Sequence, residues 1–332
     1  MALQTVNVIG AGIFGLWQAY QLARDGLRVR LYEKSDTAFS EASSWMAGAM
    51  LAPYCEAEAS EQHLIPSALD ALKIWQDSPF PLSQRGTLIV APPRDKVELT
   101  AFAKRTLGHE RVNKEKLSEL EPALADRFED GLFYPDEAHM APRPVLEALL
   151  EAAFEEGVEV TFDSTAGWSG ADIIVDCRGM GAKDELTNLR PVRGEMAVVK
   201  LTELALSRPV RLLHPRVPCY IVPWPDGHYM IGATVLESDD HGPVSVRSAL
   251  ELLGAAFAVH PGFGEAKIIE LSSGQRPSLP DNMPKISIEG RIIRVNGAYR
   301  HGFLLAPLLA RDVSTYIREG CTEGAFFDAS GD

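Results

Sequence analysis

Apolar positions along this chain change period several times. Residues 5–9 form a short apolar run of strand length, and residues 13–24 repeat apolar side chains at helical spacing (Leu16, Ala19, Tyr20, Leu22, Ala23). Gly26 stands where that helix should stop, and residues 27–34 return to strand spacing, which predicts a βαβ opening. Residues 43–62, SSWMAGAMLAPYCEAEASEQ, are small and then acidic without periodicity, predicting a loop or short helix up to about Pro66. A helix over 67–78, a strand over 86–92, a helix over 95–108 and a short capped helix over 116–126 come next. Pro144 opens a helix over 144–157, followed by a strand over 158–162 and a buried apolar strand over 171–179 that ends at Gly179. Residues 191–272 are rich in strand signals, with Pro225-Asp226-Gly227 as a hairpin turn and a helix over 246–259. An apolar strand over 291–299 and a helix from about Leu304, with Pro307 in its first turn and Gly320 as its stop, close the pattern.

Parallel-sheet units at both ends with antiparallel signals between them predict an α/β (mixed α+β) fold of two intertwined domains. The first is a Rossmann-like domain with a parallel sheet, drawn from residues 1–80, 140–190 and 270–332. The second, from residues 81–139 and 191–269, carries a mixed or antiparallel sheet.

Composition narrows the partners. The 332 residues are 46% hydrophobic and 23% charged, as in an ordinary globular protein, and the formal charge of −14 argues against nucleic acid or an anionic membrane surface. An anionic substrate then needs a local arginine. No run approaches the ~20 apolar residues of a membrane span, and the first strand begins too early for a signal core, so a cytoplasmic location is expected. Cys55, Cys177, Cys219 and Cys321 are scattered without metal-ligand spacing, which predicts free thiols and no metal site.

The opening βαβ unit carries the most specific chemistry. Gly10, Gly12 and Gly15 have GxGxxG spacing between strand and helix, with Ile13 and Phe14 inside the motif. The first glycine permits the tight turn, the second lets backbone approach a pyrophosphate, and the third lets helix pack closely on strand. Phosphate would lie at the helix N-terminus. Glu33, at the end of the second strand and followed by Lys34, is placed to accept hydrogen bonds from ribose hydroxyls, which argues against a 2′-phosphate.

Five motifs in this order resemble the D-amino-acid oxidase superfamily of FAD enzymes, most closely its glycine oxidase branch of the thiamine thiazole type. They are VIGAGIFG with YEK, SSWMAGAMLAP, PVRGEM at 191–196, CYIVPWPDGHYMIGAT at 219–234, and GQRPSLPDNMP with NGAYRHGFLLAP. The resemblance implies non-covalent FAD between an FAD-binding and a substrate-binding domain. By matching position, Ser43, Ser44, Ala47, Gly48 and Met50 would line the cofactor, Val160 would touch the adenine, and Gly179 would end a strand beside it. Arg276 would clamp a substrate carboxylate, Tyr220 would hydrogen-bond the same group, and Arg300 with His301, Gly302, Phe303 and Leu304 would contact flavin and substrate. The chain departs from common relatives at Ala49 and in Gly297-Ala298-Tyr299-Arg300-His301-Gly302, which bears on substrate choice.

The activity so implied is oxidative deamination of glycine or another small amino acid: hydride passes from Cα to flavin N5, and oxygen reoxidises the flavin to give hydrogen peroxide. Arginine suits the clamp because its planar, permanently charged fork matches a carboxylate. The N-terminus of the last helix would stabilise negative charge on reduced flavin. His139, His214, His228, His241 and His260 read as ordinary loop or surface histidines with no catalytic role. Glu56, Glu58 and Glu61 read as a solvated acidic face, or more sharply as attraction for a substrate amine. Sarcosine oxidase-like or D-amino-acid oxidase or dehydrogenase activity is the nearest alternative. A non-catalytic FAD subunit would need neither Arg276 nor Tyr220, and an NAD-dependent dehydrogenase would purify colourless. A homo-oligomer and transfer of product to a thiazole-forming enzyme are the expected associations.

Overall fold

A computed structural model describes residues 4–36, 39, 41–57, 62–214 and 219–328; Glu58 and Glu61 lie outside the described residues. Six strands form one sheet, in spatial order Lys285–Glu289, Ile292–Asn296, Ile173–Asp176, Thr5–Ile9, Arg28–Tyr32 and Glu159–Thr161. Every neighbouring pair is parallel except the edge hairpin of Lys285–Glu289 on Ile292–Asn296. The central strand is buried on both faces, which explains its unbroken apolar run: Val6 and Val8 are fully buried beneath the helices Ile13–Arg24, Pro142–Glu155 and Gly302–Glu319. Its one buried polar residue, Asn7, donates from Nδ2 to the carbonyls of Gly167 (2.8 Å) and Ser169 (3.0 Å), tying a surface loop to the middle of the sheet.

A second sheet of nine strands runs Leu236–Glu237, Arg190–Lys200, His228–Gly232, Cys219–Trp224, Val210–Leu212, Thr87–Val90, Asp130–Tyr134 and Glu110–Asn113, with Lys267–Ser278 also pairing with Arg190–Lys200. It is antiparallel apart from Val210–Leu212 beside Thr87–Val90, so the expected mixed α/β architecture with one mainly parallel and one mainly antiparallel sheet is what the chain adopts. The hairpin turn at Pro225-Asp226-Gly227 joins paired strands, with Asp226 (φ 59°) and Gly227 (φ 71°) both left-handed. A third, two-stranded ribbon pairs Met50–Leu51 with Ala138–His139.

Several boundaries differ from the sequence expectation, each for a local reason. The helices expected from Ser67 and Pro144 begin earlier, at Ile65 and Pro142, because proline in a first turn forfeits no intrahelical hydrogen bond. Asn113 caps the helix Lys114–Leu120 by accepting from Lys116 N (3.0 Å), after a strand, Glu110–Asn113, that its polar composition hid. The strand expected to end at Gly179 stops at Asp176, and Gly179 opens a 3₁₀ turn with φ 57°. The strand-rich stretch expected to end at residue 272 continues through Gly274, Gln275 and Arg276 to Ser278, in the strand Lys267–Ser278. We propose the junction between the two domains after Ser278, since that whole strand pairs with Arg190–Lys200.

The last helix starts at Gly302, so Pro307 falls in its second turn rather than its first. Proline cannot donate to the carbonyl four residues back, which is that of Phe303. Trp75 Nε1 donates to that carbonyl instead, at 2.9 Å. Trp75 also meets Trp17 edge to face (4.9 Å, 90°), and Phe80 and Tyr20 extend the cluster, each such pair contributing about 0.5–1.5 kcal/mol beyond burial. The first helix and the helix Ile65–Asp77 are thereby joined to the last helix where it begins.

Candidate active site

Three glycines shape the start of the first helix, each differently. A Cβ on Gly15 would sit 1.7 Å from Gly10 O, so no larger residue lets the helix lie so close to the strand end. Gly10 has φ +97°, and a Cβ there would meet Cys177 O at 2.7 Å. Gly12 is the open one: a Cβ would approach nothing nearer than Ser44 Oγ at 3.7 Å. Gly12 caps the helix with no side-chain hydrogen bond, and no acid lies in the first turn, so its N–H groups are offered outward apart from Ile13 N, which donates to Ser44 Oγ (3.3 Å).

Glu33 lies across this loop. Its Oε2 accepts from Ala11 N (2.6 Å) and its Oε1 from Ser35 N (3.1 Å), so the carboxylate fixes the glycine turn and keeps further lone pairs for hydroxyl donors. Lys34 points elsewhere, paired with Glu41 Oε2 at 2.6 Å and 63% exposed. Val160 sits beside Leu31 in the edge pairing of the same sheet, and Gly179 O accepts from Asn296 Nδ2 (2.9 Å).

The segment Ser43–Met50 crosses from this loop to the second sheet. Ser43 Oγ donates to Gln275 O (2.5 Å), and Ala47 N donates to Ser44 O (3.3 Å). Gly48 lies against the Tyr220 ring, where a Cβ would meet Cε2 at 2.9 Å. Met50 packs with Met196, Val198, Val222 and Met230, an apolar wall on which Tyr220 rests. On the far side Gly297 (φ +87°) turns the chain out of its strand, and His301, 6% exposed, precedes the last helix, whose N-terminus also has no side-chain cap. A Cβ on Gly302 would meet nothing within 4 Å, while Phe303 and Leu304 are buried in the core.

Between these walls the structure gathers Tyr220, Arg276, Arg300, His301 and Glu56. Glu56 is 12% exposed, not the solvated face its composition suggested: Oε1 pairs with Arg211 Nη1 (2.9 Å) and Oε2 with Arg300 Nη1 (3.5 Å). Burial alone pushes its carboxyl up, but Arg211, Arg300, His301 and Arg276 together outweigh burial and hold it below the usual carboxylate range. Tyr220 is pushed up, by burial first, with Glu56 adding and Arg276 and Arg300 opposing. Arg276 donates from Nη1 to Thr234 O (3.2 Å), and among the described residues no carboxylate lies within 4 Å of it.

Two buried groups that sequence reasoning did not single out hold the turn carrying Glu56. Arg211 Nη1 also donates to Cys55 O (2.9 Å), and Glu137 Oε1 accepts from Cys55 N (2.7 Å) and Tyr54 N (3.0 Å). Glu137 is fully buried, and burial pushes it up to about 7 against those hydrogen bonds. His139, expected on a loop or the surface, is instead 4% exposed in the ribbon with Met50, and burial pushes it down to about 4. Nothing local in the sequence marks these side chains as buried; only the apolar strands flanking them could have raised the question.

Comparison with known proteins bears on what this site holds. The DAO family, described as FAD dependent oxidoreductase, matches residues 5–315. The chain belongs to this family. A Rhizobium etli protein assigned as the thiamine biosynthesis oxidoreductase ThiO is 47% identical over 312 residues, covering 93% of this chain and 95% of that one. Glycine oxidase of Geobacillus kaustophilus is 27% identical over 348 residues, covering 91% and 90%. The crystal structure of glycine oxidase from the same organism superposes with a TM-score of 0.81 over 97% of this chain and 96% of that one, at 24% identity, which establishes the shared fold.

The chain is thus an FAD-dependent oxidoreductase, and its own geometry suits a dinucleotide: an open Gly12 at an uncapped helix N-terminus, Glu33 beside it, and a second uncapped helix N-terminus at open Gly302. No helix among the described residues is long and apolar enough to cross a membrane.

Proposed function

We propose that this DAO-family enzyme oxidises glycine or another small amino acid bearing a single carboxylate. Arg276 carries the reading. Of the guanidiniums around Tyr220, Arg211 and Arg300 share Glu56, whereas among the described residues Arg276 pairs with a backbone carbonyl and no carboxylate, and is ready for an anion. A carboxylate fits its fork, and the Tyr220 hydroxyl, kept protonated by burial, supplies a further donor. The apolar wall of Met50, Met196, Val198, Val222 and Met230 offers no partner for a charged substrate side chain, which favours a small substrate. Glu56, held as an anion, attracts a substrate ammonium toward the same cleft.

FAD, when bound, supplies the two-electron acceptor for the Cα hydride and passes the pair to dioxygen as hydrogen peroxide. We further propose non-covalent FAD held by Gly10, Gly12, Gly15, Glu33 and the 43–50 segment, with Arg300 and residues 301–304 on its other side. Transfer of product toward thiazole formation is consistent with the name of the Rhizobium etli relative.

Replacing Arg276 with Ala tests the reading. It should leave flavin bound and lower kcat/KM for carboxylate substrates by the 2–5 kcal/mol of a lost buried charge pair, roughly 30- to 5,000-fold. Glycine, sarcosine and D-amino acids are assayed by peroxide release and by anaerobic flavin bleaching. Unchanged kinetics in the variant would remove the clamp, and bleaching without peroxide would make the enzyme a dehydrogenase.

A further inference from the structure

We propose that Gly194 and Glu195 are positioning residues that seat the Arg276 guanidinium, a reading that rests on Arg276 as the carboxylate clamp. Strands Arg190–Lys200 and Lys267–Ser278 pair with Val192 opposite Arg276 and Gly194 opposite Gly274. From its place opposite Val192 the Arg276 side chain lies back along the strand onto Gly194. An added Cβ there would stand 2.3 Å from Nη2 and 2.5 Å from Cζ and Nη1. Gly194 is not among the residues with positive φ, so it is needed for the room it leaves and not for its backbone freedom.

The partner that fixes the guanidinium is itself fixed by residue 195. Thr234 O accepts from Arg276 Nη1 (3.2 Å). Thr234 is bound to Glu195 at three points: Glu195 N donates to Thr234 Oγ1 (2.9 Å), Thr234 N donates to Glu195 O (3.1 Å), and Thr234 Oγ1 donates to Glu195 Oε2 (3.4 Å). Glu195 is 2% exposed and paired with Arg193 Nη2 at 2.8 Å; Arg193 in turn donates to the carbonyls of Asp240, Gly242 and Pro243. The buried pair therefore anchors Thr234, two residues past the strand His228–Gly232, and the loop after it. An arginine held this way gives up little side-chain freedom when a carboxylate arrives, which is where preorganisation raises affinity.

A methyl at 194 strikes the movable end of a side chain rather than backbone, so the fold should accept it while the guanidinium shifts. Holoenzyme Gly194→Ala is expected to keep its flavin content and Tm, to raise KM for glycine far more than it lowers kcat, and to weaken calorimetric binding of acetate by up to about 100-fold. In a double-mutant cycle it should cost nothing further on an Arg276→Ala background. Thr234→Val, which removes only the hydroxyl anchor, should shift KM and acetate affinity in the same sense by less. Wild-type acetate affinity in both Gly194→Ala and Thr234→Val, or a Gly194→Ala loss that persists without Arg276, overturns the proposal. If Arg276→Ala alone leaves acetate binding intact, the clamp reading fails first and the cycle identifies that failure separately.

Discussion

A single added methyl has three different meanings in the glycine turn. At Gly15 it collides with Gly10 O, and at Gly10 it meets Cys177 O on a backbone with positive φ, so both substitutions strike the protein itself. At Gly12, where φ is −70° and Ser44 Oγ is 3.7 Å away, it strikes only what the protein would bind. Gly12→Ala should therefore give apoprotein with wild-type thermal unfolding that recovers little FAD, whereas Gly15→Ala should lower Tm and flavin content together. Flavin-to-protein ratio and calorimetry separate the two, and equal loss of Tm in both would contradict the assignment. Spacing alone identified these glycines because local geometry demands them. It could not say which was open, since the neighbours Cys177 and Ser44 arrive from distant segments. Gly194 was quoted only as part of a motif for the same reason: its meaning is the arginine lying on it.

The turn Tyr54–Ala57 shows how an element is held by a residue outside it. Glu137 receives the N–H groups of Tyr54 and Cys55, and burial raises it from an ordinary carboxyl to about 7. A folded-state pKa above the unfolded value means that stability is complete below about pH 4.5 and is lost as pH rises through 7. That shift corresponds to about 3 kcal/mol on full ionisation. Glu137→Gln keeps a carbonyl acceptor for both N–H groups and cannot ionise, so its Tm should match wild type near pH 4 and exceed it at pH 8. A constant Tm difference across that range would show that Glu137 ionises as readily in the folded protein as in the unfolded chain, and that burial does not raise its pKa. At this scale the sequence was legible wherever period, caps and turn residues agreed, as at Gly26, Gly320 and the Pro225-Asp226-Gly227 hairpin. It was not legible where a tertiary partner took over, as where Trp75 supplies the hydrogen bond that Pro307 cannot, or where pairing with Arg190–Lys200 carries a strand through Arg276.

Across the whole molecule one carboxylate spans the two sheets. Glu56 joins Arg211, on a strand of the nine-stranded sheet, to Arg300, on the loop leaving the six-stranded sheet. The order of motifs made the mixed α/β architecture of two sheets readable from the sequence, but this bridge depends on how the two sheets face each other and was not. Its sign is opposite to that of Glu137. The surrounding guanidiniums hold Glu56 below its ordinary pKa, so its contribution is present above the unfolded value and lost as pH falls through the folded one. Glu56→Gln leaves two guanidiniums without the carboxylate they share; the cost of breaking a buried pair is about 3 kcal/mol, which at roughly 2–4 °C per kcal/mol lowers Tm by about 6–12 °C near neutral pH. The deficit should shrink as pH falls below the ordinary carboxylate value and through the lower folded one, where wild type protonates as well. Scanning calorimetry of both holoenzymes from pH 3.5 to about 8 checks this, and a deficit that stays constant into acid would mean that Glu56 acts there by shape rather than by charge.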